Sequence, residues 1–489
     1  MQGDQLLFKP QSLLVKTLTP LLLFVICFVL RIIYVSAQDI CIDEPFSVFH
    51  AQSSVKDIIR FLKPTNNPPL FEILLHYWIK LFGISVFSVR FLPVLFGALA
   101  VIFIYKTGQK FFSYEVGLCV GLIYCFSSHA IYYSHDCRVY TLFLLLSVAS
   151  VYFFMNIVSG NSSSRKNLIL WGVINVLLIY SHYFGFFVLF VELLAVLFFF
   201  RKHLKNVLIT FFVTAMFYLP QIFILVSRLL FSTESGTWMK EPVGLESIYN
   251  MFWLFSNMPV VAVFCLALMV WIIANYFSNK NKNYFDKKLR GFIYVCFFIP
   301  FMVMFFVSYK IPVYNGRYLF FLLPFYYLSI SIMAYSVFNK QKHKIILLSV
   351  LIILFGMTVQ LNPDKKRESK AVTEFIKANK KPGDLVIICT HEFLTNFAYY
   401  YNIDFFKSVS ENEYETLENK LHQENIYPVR SITEVNGELI EKAKRIIYLD
   451  AGADFSNPGN NVLSTLEQKF NLKNKKQFEE IFKVYTFTP

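Results

Sequence analysis

Residues 66–99 read NNPPLFEILLHYWIKLFGISVFSVRFLPVLFGAL, and two different kinds of apolar helix follow one another in them. A helix that crosses a bilayer needs about 20 mostly apolar residues, and the run over 88–106 supplies them. The piece before it, 68–82, is short, opens on Pro68-Pro69 and holds Glu72, His76 and Lys80. It reads as a helix lying in the membrane interface. With 68–82 left out of the count, the spans number eleven and the two ends of the chain fall on opposite sides.

The other spans are predicted at 18–36, 115–132, 138–158, 168–182, 185–200, 207–231, 250–277, 291–308, 318–338 and 345–361. Their loops differ in charge. Residues 1–17 and the loops around 107–114, 159–167, 201–206, 278–290 and 339–344, with Lys106 and Glu115 at the edge, carry 17 basic and 3 acidic residues. The loops 37–87, 133–137, 183–184, 232–249 and 309–317, with Arg138, carry 8 basic and 9 acidic. The positive-inside rule makes the first set cytoplasmic and the second extracytoplasmic.

Composition agrees. Of 489 residues 56% are hydrophobic, 18% aromatic and only 16% charged, and mean hydropathy is +0.50. A soluble domain carries about a quarter charged residues, so a cytosolic enzyme, a disordered chain and a collagen-like chain are excluded. A signal peptide does not explain apolar runs that recur over three quarters of the sequence. Net charge is +14, but residues 1–361 hold 28 Lys/Arg against 13 Asp/Glu while 362–489 hold 18 against 19. The break predicts a transmembrane domain over 1–361 and an extracytoplasmic domain over 362–489. Because the basic excess lies in the membrane part, it speaks of orientation rather than of nucleic acid. In the tail, LVIIC (385–389), RIIYL (445–449) and FKVYTF (482–487) read as strands, and 368–380 and 411–422 as helices, with Pro382-Gly383-Asp384 as a turn. This is a small α/β pattern. It has no internal repeat, no glycine-rich phosphate loop and no ordered metal-ligand spacing.

The unusual polar residues gather on the extracytoplasmic side. Asp39-Ile40-Cys41-Ile42-Asp43-Glu44 follows the first span, and Asn66 and Asn67 precede the paired prolines. Ser134-His135-Asp136-Cys137-Arg138, Ser181-His182-Tyr183-Phe184-Gly185 and Tyr314-Asn315-Gly316-Arg317-Tyr318 form the later turns. Carboxylates at a membrane face must be solvated, paired or bound to a ligand. Carboxylates, arginines and histidines together suit an anionic lipid headgroup and a proton transfer; the plainer alternative is that they only terminate helices. Glu192, in mid-span, reads as a hydrogen-bonded or protonated buried carboxyl. Cys27, Cys119, Cys125, Cys265 and Cys296 sit in apolar spans as small core residues, and Cys389 in a tail strand. Cys41 and Cys137 lie on the oxidising side, each beside a candidate acid.

Taken in order, the Asp43-Glu44 pair after the first span, the 66–99 stretch and YYSHDCRVYTLFLLL (132–146) resemble the start of the GT-C glycosyltransferases. The similarity is greatest to the branch of protein O-mannosyltransferases, lipid A aminoarabinose transferases and related bacterial envelope-sugar transferases. SHYFGFFVLF (181–190), GRYLFFLLP (316–324) and the α/β tail look familial too. The resemblance implies a polytopic α-helical membrane protein of GT-C type, with about eleven transmembrane helices, interfacial helices in a catalytic first outer loop (37–87) and a C-terminal extracytoplasmic α/β domain. It implies an inverting transferase that moves a sugar from a polyprenyl phosphate donor to a hydroxyl of an envelope glycan, glycolipid or protein. The chain would be multi-pass in the inner (plasma) membrane, with its site and tail periplasmic.

The resemblance also implies roles. Asp43 matches the family's loop aspartate and would be the general base, with Glu44 beside it as a second acid or a shaper of the loop. Asp136 matches the second familial acid and would contact donor or acceptor; the alternative is an N-cap for 138–158. Arg138 and Arg317 would meet the phosphate leaving group, against snorkelling to the interface for Arg138. Asn66, Asn67, His135, His182, Tyr183 and Tyr318 would line the substrate site, with a hydrogen-bonded interfacial histidine as the alternative for His182. Asn66 and Asn67 replace the acid that some members carry there as a metal ligand, which makes a divalent metal doubtful. If Asp43 and Asp136 line one pocket, Cys41 and Cys137 come close enough for a disulfide; two thiols pointing apart is the other expectation. Two other functions are weighed. A transporter or lipid flippase would place charges near the bilayer midplane and show two related halves; here the charges gather at one face and the two halves do not match. A non-catalytic scaffold would not need Asp43.

Overall fold

The computed structural model describes residues 13–488 except 64, 66, 161–163, 236–240, 278–284, 366, 408–412, 436, 456, 458, 479 and 480. Two compact units divide the chain. One takes Met1–Val35, Leu62–Phe71 and Arg90–Pro363, the other Ser36–Phe61, Glu72–Val89 and Asp364–Pro489.

The first unit is a helical bundle. Helix occupies every predicted span, from Leu13–Ile32 and Val86–Phe111 through Tyr140–Ser159, Arg165–Ser181, Gly185–Phe198, Leu204–Ser235 and Lys287–Val307 to Gln341–Thr358. Among the described residues six helices are long and apolar enough to cross a membrane, or eight if two bent pairs each count as one span. Thr17–Ile32 and Gly185–Phe198 are shorter apolar helices. Tyr140–Ser159 and Gly316–Val337 are 78% and 83% buried by protein, so their all-round apolar surface belongs to the bundle interior. The apolar stretch within Arg201–Phe231 is only 22% buried and turns Phe212, Phe217 and Phe223 outward.

Two expected spans are not straight helices. The 115–132 span is Tyr114–Cys125 followed by Ser128–Ser134 at 57°, and 250–277 is Gly244–Phe255 followed by a helix from Pro259 at 105°. The reason for the second break is local. Pro259 cannot continue a helix from upstream, and Asn257 takes φ +64°. The freed backbone groups are satisfied by shared polar residues, as a water-poor setting requires. Asn257 accepts from the Ser128 amide at 2.8 Å and donates to the Phe126 carbonyl at 2.8 Å. The Tyr327 hydroxyl bridges Ser127 Oγ and the Phe255 carbonyl, each at 2.8 Å.

The second unit carries a five-stranded sheet: β1 (Asp384–Cys389), β2 (Ile426–Pro428), β3 (Arg445–Ala451), β4 (Asn471–Phe478) and β5 (Phe482–Thr488), in the order β2-β1-β3-β5-β4. β1 runs parallel to β2 and β3, and β5 antiparallel to β3 and β4, with Ile387 opposite Tyr448 and Tyr448 opposite Tyr485. All six residues of β1 are buried, the continuous apolar pattern of a parallel strand covered on both faces. The three expected strands and the helices at Ser369–Asn379 and Glu413–Gln423 are present. β4 was not legible: NLKNKKQF has no alternation because seven of its eight residues face solvent. Its lysines protect an edge strand from pairing with another sheet.

Candidate functional site

In the second unit the segment after the first helix bends sharply. Ile42 has φ +58°, a left-handed conformation that for a β-branched residue costs roughly 1–3 kcal/mol. Asp43 follows, half-buried, as N-cap of helix Glu44–His50, and its side chain does not cap that helix. Glu44 points inward. It is fully buried, its Oε2 meets Lys365 Nζ at 2.9 Å, and the same oxygen accepts from the Cys41 amide at 3.3 Å. A buried carboxylate needs such a cation, so Glu44 is engaged in shaping the loop. The tail supplies more partners. Lys365 N donates to Gln38 Oε1 at 2.7 Å and Lys370 N to Asp39 Oδ2 at 2.8 Å. The Tyr400 hydroxyl accepts from Ile40 N at 2.8 Å and donates to Ile40 O at 3.2 Å, and Asn396 Nδ2 donates to Ile42 O at 2.9 Å. Further along, Ser47 Oγ donates to Glu72 Oε1 at 3.0 Å, and His76 Nδ1 donates to the Ala51 carbonyl at 2.9 Å.

In the first unit the other candidates gather around two turns. Helix Tyr140–Ser159 starts after Val139 with no side-chain cap, so Asp136 is not its N-cap. Asp136 is half-buried, and both it and Arg317 lie within electrostatic reach of Tyr133. Arg138 is 5% exposed; it does not snorkel to water, and it lies within reach of His182. The His182 ring stacks on Phe143 with centroids 4.8 Å apart, meets Tyr318 edge-on at 5.8 Å, and accepts from the Phe184 amide through Nδ1 at 3.1 Å. Asn315 caps the short helix Gly316–Leu319 by accepting from the Arg317 amide at 3.1 Å. His135 is buried, and its Nε2 donates to the Arg31 carbonyl at 2.7 Å, closing the end of the first helix. Tyr183 is half-buried, and Asn67 is held through its amide by Thr65 Oγ1 at 3.3 Å. Asn66 lies outside the described residues. Glu192 is fully buried and accepts from Ser150 Oγ at 2.7 Å, as a mid-span carboxyl should.

Several residues of these sites were not picked out from the sequence. Arg31 is fully buried, donates to the Cys27 and Tyr124 carbonyls and lies over the Tyr124 ring at 4.7 Å. Arg90 donates to the Val35 carbonyl at 3.0 Å. An arginine inside an apolar run is a signal in its own right. Lys365, Asn396 and Tyr400 gave none, since they are ordinary residues of a polar tail. Cys41 and Cys137 are buried thiols and no disulfide joins them. Among the described residues no group of three or more His, Cys, Asp or Glu offers a metal site.

Residues 66–226 match the model of the dolichyl-phosphate-mannose-protein mannosyltransferase family. No curated protein sequence matches the chain. Among solved structures, ArnT from Cupriavidus metallidurans bound to undecaprenyl phosphate is similar with a TM-score of 0.54 at 10% identity, over 97% of each chain. The Archaeoglobus fulgidus oligosaccharyltransferase in complex with Zn and sulfate is similar with a TM-score of 0.53 at 13% identity, over 94% of this chain and 72% of that one. The chain is a multi-pass membrane protein that shares the GT-C fold of these structures, and its residues 66–226 are similar to the mannosyltransferase family model.

Proposed function

We propose that this protein transfers a sugar from a polyprenyl phosphate to a hydroxyl of an envelope glycan, glycolipid or protein, with inversion at the anomeric carbon. The observation that carries the reading is the likeness, along nearly the full length of both chains, to an ArnT structure bound to undecaprenyl phosphate. In the step proposed, the acceptor oxygen forms a bond to the anomeric carbon as its proton passes to the Asp43 carboxylate. The bond from that carbon to the phosphate oxygen breaks, and its electron pair leaves with the polyprenyl phosphate. Arg138 and Arg317 receive the charge that develops on the phosphate. Asp136 orients donor or acceptor, and His182, Tyr183 and Tyr318 line the sugar or phosphate. Burial of Arg138 supports its role, because a desolvated cation acts on an anion far more strongly than a hydrated one. The Lys365 partner of Glu44 supports Asp43, rather than Glu44, as the base. The loop charges support a plasma-membrane orientation with Asp43 and the tail outside.

The test is genetic and chemical. In a strain lacking the gene, complemented with the full-length chain, polyprenyl-phosphate sugars in lipid extracts are quantified by mass spectrometry. Wild type clears the donor. Asp43→Asn, nearly isosteric, reaches the membrane but slows clearance by about 10²–10⁴. Wild-type donor levels in the Asp43→Asn strain would remove Asp43 from the base role.

A further inference from the structure

The turn that presents Asp43 is held from the tail. Ile42 sits at φ +58° and is 41% exposed, so neither its conformational preference nor burial keeps it there. Glu44 meets the turn locally through the Cys41 amide, and from the tail the turn is contacted by a pair of side chains on the helix Leu394–Tyr401. Asn396, 2% exposed, donates to the Ile42 carbonyl, and the Tyr400 hydroxyl engages both the amide and the carbonyl of Ile40. These bonds go to backbone atoms, so they set the direction of the chain as it enters Asp43. Lys365 and Lys370 tie Glu44, Gln38 and Asp39 on either side. A left-handed β-branched residue persists only where its surroundings over-determine it.

We propose that Asn396 and Tyr400 are positioning residues for the transfer reaction, clamping the strained Ile40–Ile42 turn so that the Asp43 carboxylate is presented at one fixed angle. The inference rests on the reading of Asp43 as the base. It assigns the C-terminal α/β domain a part in the chemistry without contact to substrate. Misplacement of a reacting group by about 1 Å costs on the order of a hundredfold in rate.

Two measurements on full-length protein test it. Amide hydrogen exchange of the peptide covering 38–44 reads the clamp, and donor clearance in the complemented strain reads the chemistry. Asn396→Ala is expected to speed exchange there at least about tenfold and to slow clearance roughly 10- to 100-fold. Tyr400→Phe, which removes one oxygen, gives the same pattern more weakly and serves if Asn396→Ala fails to fold. The discriminating variant is Ile42→Asn in the Asn396→Ala background. Asparagine adopts the left-handed conformation with little strain, so it restores protection and clearance, whereas a lost structural contact elsewhere would not be repaired. Wild-type exchange and clearance in both Asn396→Ala and Tyr400→Phe, or no recovery with Ile42→Asn, would overturn the proposal. If Asp43→Asn itself clears donor normally, the functional reading fails, and the exchange data still decide whether the clamp exists.

Discussion

The Glu418 carboxyl in the tail is held below its ordinary value, first by the hydrogen bond from His391 and then by the charges of His391, His422 and Arg430, against the opposing effect of burial. His391 Nε2 lies 2.5 Å from Glu418 Oε1, with Arg430 on the far side of the ring, 3.4 Å from Nδ1. A carboxyl whose folded value is depressed favours the folded state above its unfolded value near 4.5, and that contribution is lost as pH falls through the folded value. The α/β unit is therefore expected to lose about 1 kcal/mol of this stabilisation on acidification below pH 4.5, since both groups are partly solvated. Glu418→Gln should flatten the pH dependence of its melting temperature by roughly 2–4 °C over that window. Equal slopes for wild type and variant, measured by thermal unfolding of the detergent-solubilised protein, would show that the pair contributes nothing.

Among the elements, helices Val86–Phe111 and Tyr114–Cys125 approach each other main chain to main chain. A Cβ added at Gly117 would lie 2.7 Å from Gln109 N and 2.8 Å from Tyr105 O, and one at Gly108 would lie 2.7 Å from Gly117 Cα. Glycine here lets two backbones touch, the device by which membrane helices gain dispersion contacts without a hydrophobic driving force. The neighbours are main chain and cannot swing aside. Gly117→Val is expected to destabilise the protein by about 1–3 kcal/mol, seen as a lower melting temperature and reduced recovery from the membrane. Gly291→Ala is the control: it sits in helix Lys287–Val307 with nothing within 4 Å of the added Cβ, and should be neutral or slightly stabilising.

At the scale of the whole molecule the loop charges make a prediction about sidedness. Reporters fused after Lys205 and after Lys288 are expected to be cytoplasmic and one fused after Asn379 exported, because the loops expected on the first side carry 17 basic residues and those expected on the other carry 8. An exported reporter at Lys288 would break the alternation between those points. The bent Gly244–Phe255 and Pro259–Phe277 pair is then the place to look, since a 105° bend is also compatible with a segment that re-enters on the side it left.

Chemistry confined to short stretches of chain was legible in the residues alone. Apolar length placed helices at every span, and three strands of the tail announced themselves by β-branched runs, because burial on both faces demands continuous apolar side chains. The acids and arginines at the turns stood out because charge beside a membrane is costly. Tertiary structure decided what depends on a distant partner. Nothing in Glu44 predicts Lys365, 321 residues away, and that pairing separates it from its neighbour Asp43. The breaks at Phe126–Ser127 and Ser256–Asn257 are stable because Asn257 and Tyr327 reach across to them, which no local pattern records. Ile42 is the clearest case: a β-branched residue disfavours φ > 0 on its own, and the bonds to the turn it forms come from Asn396 and Tyr400, 354 and 360 residues away from the groups they meet.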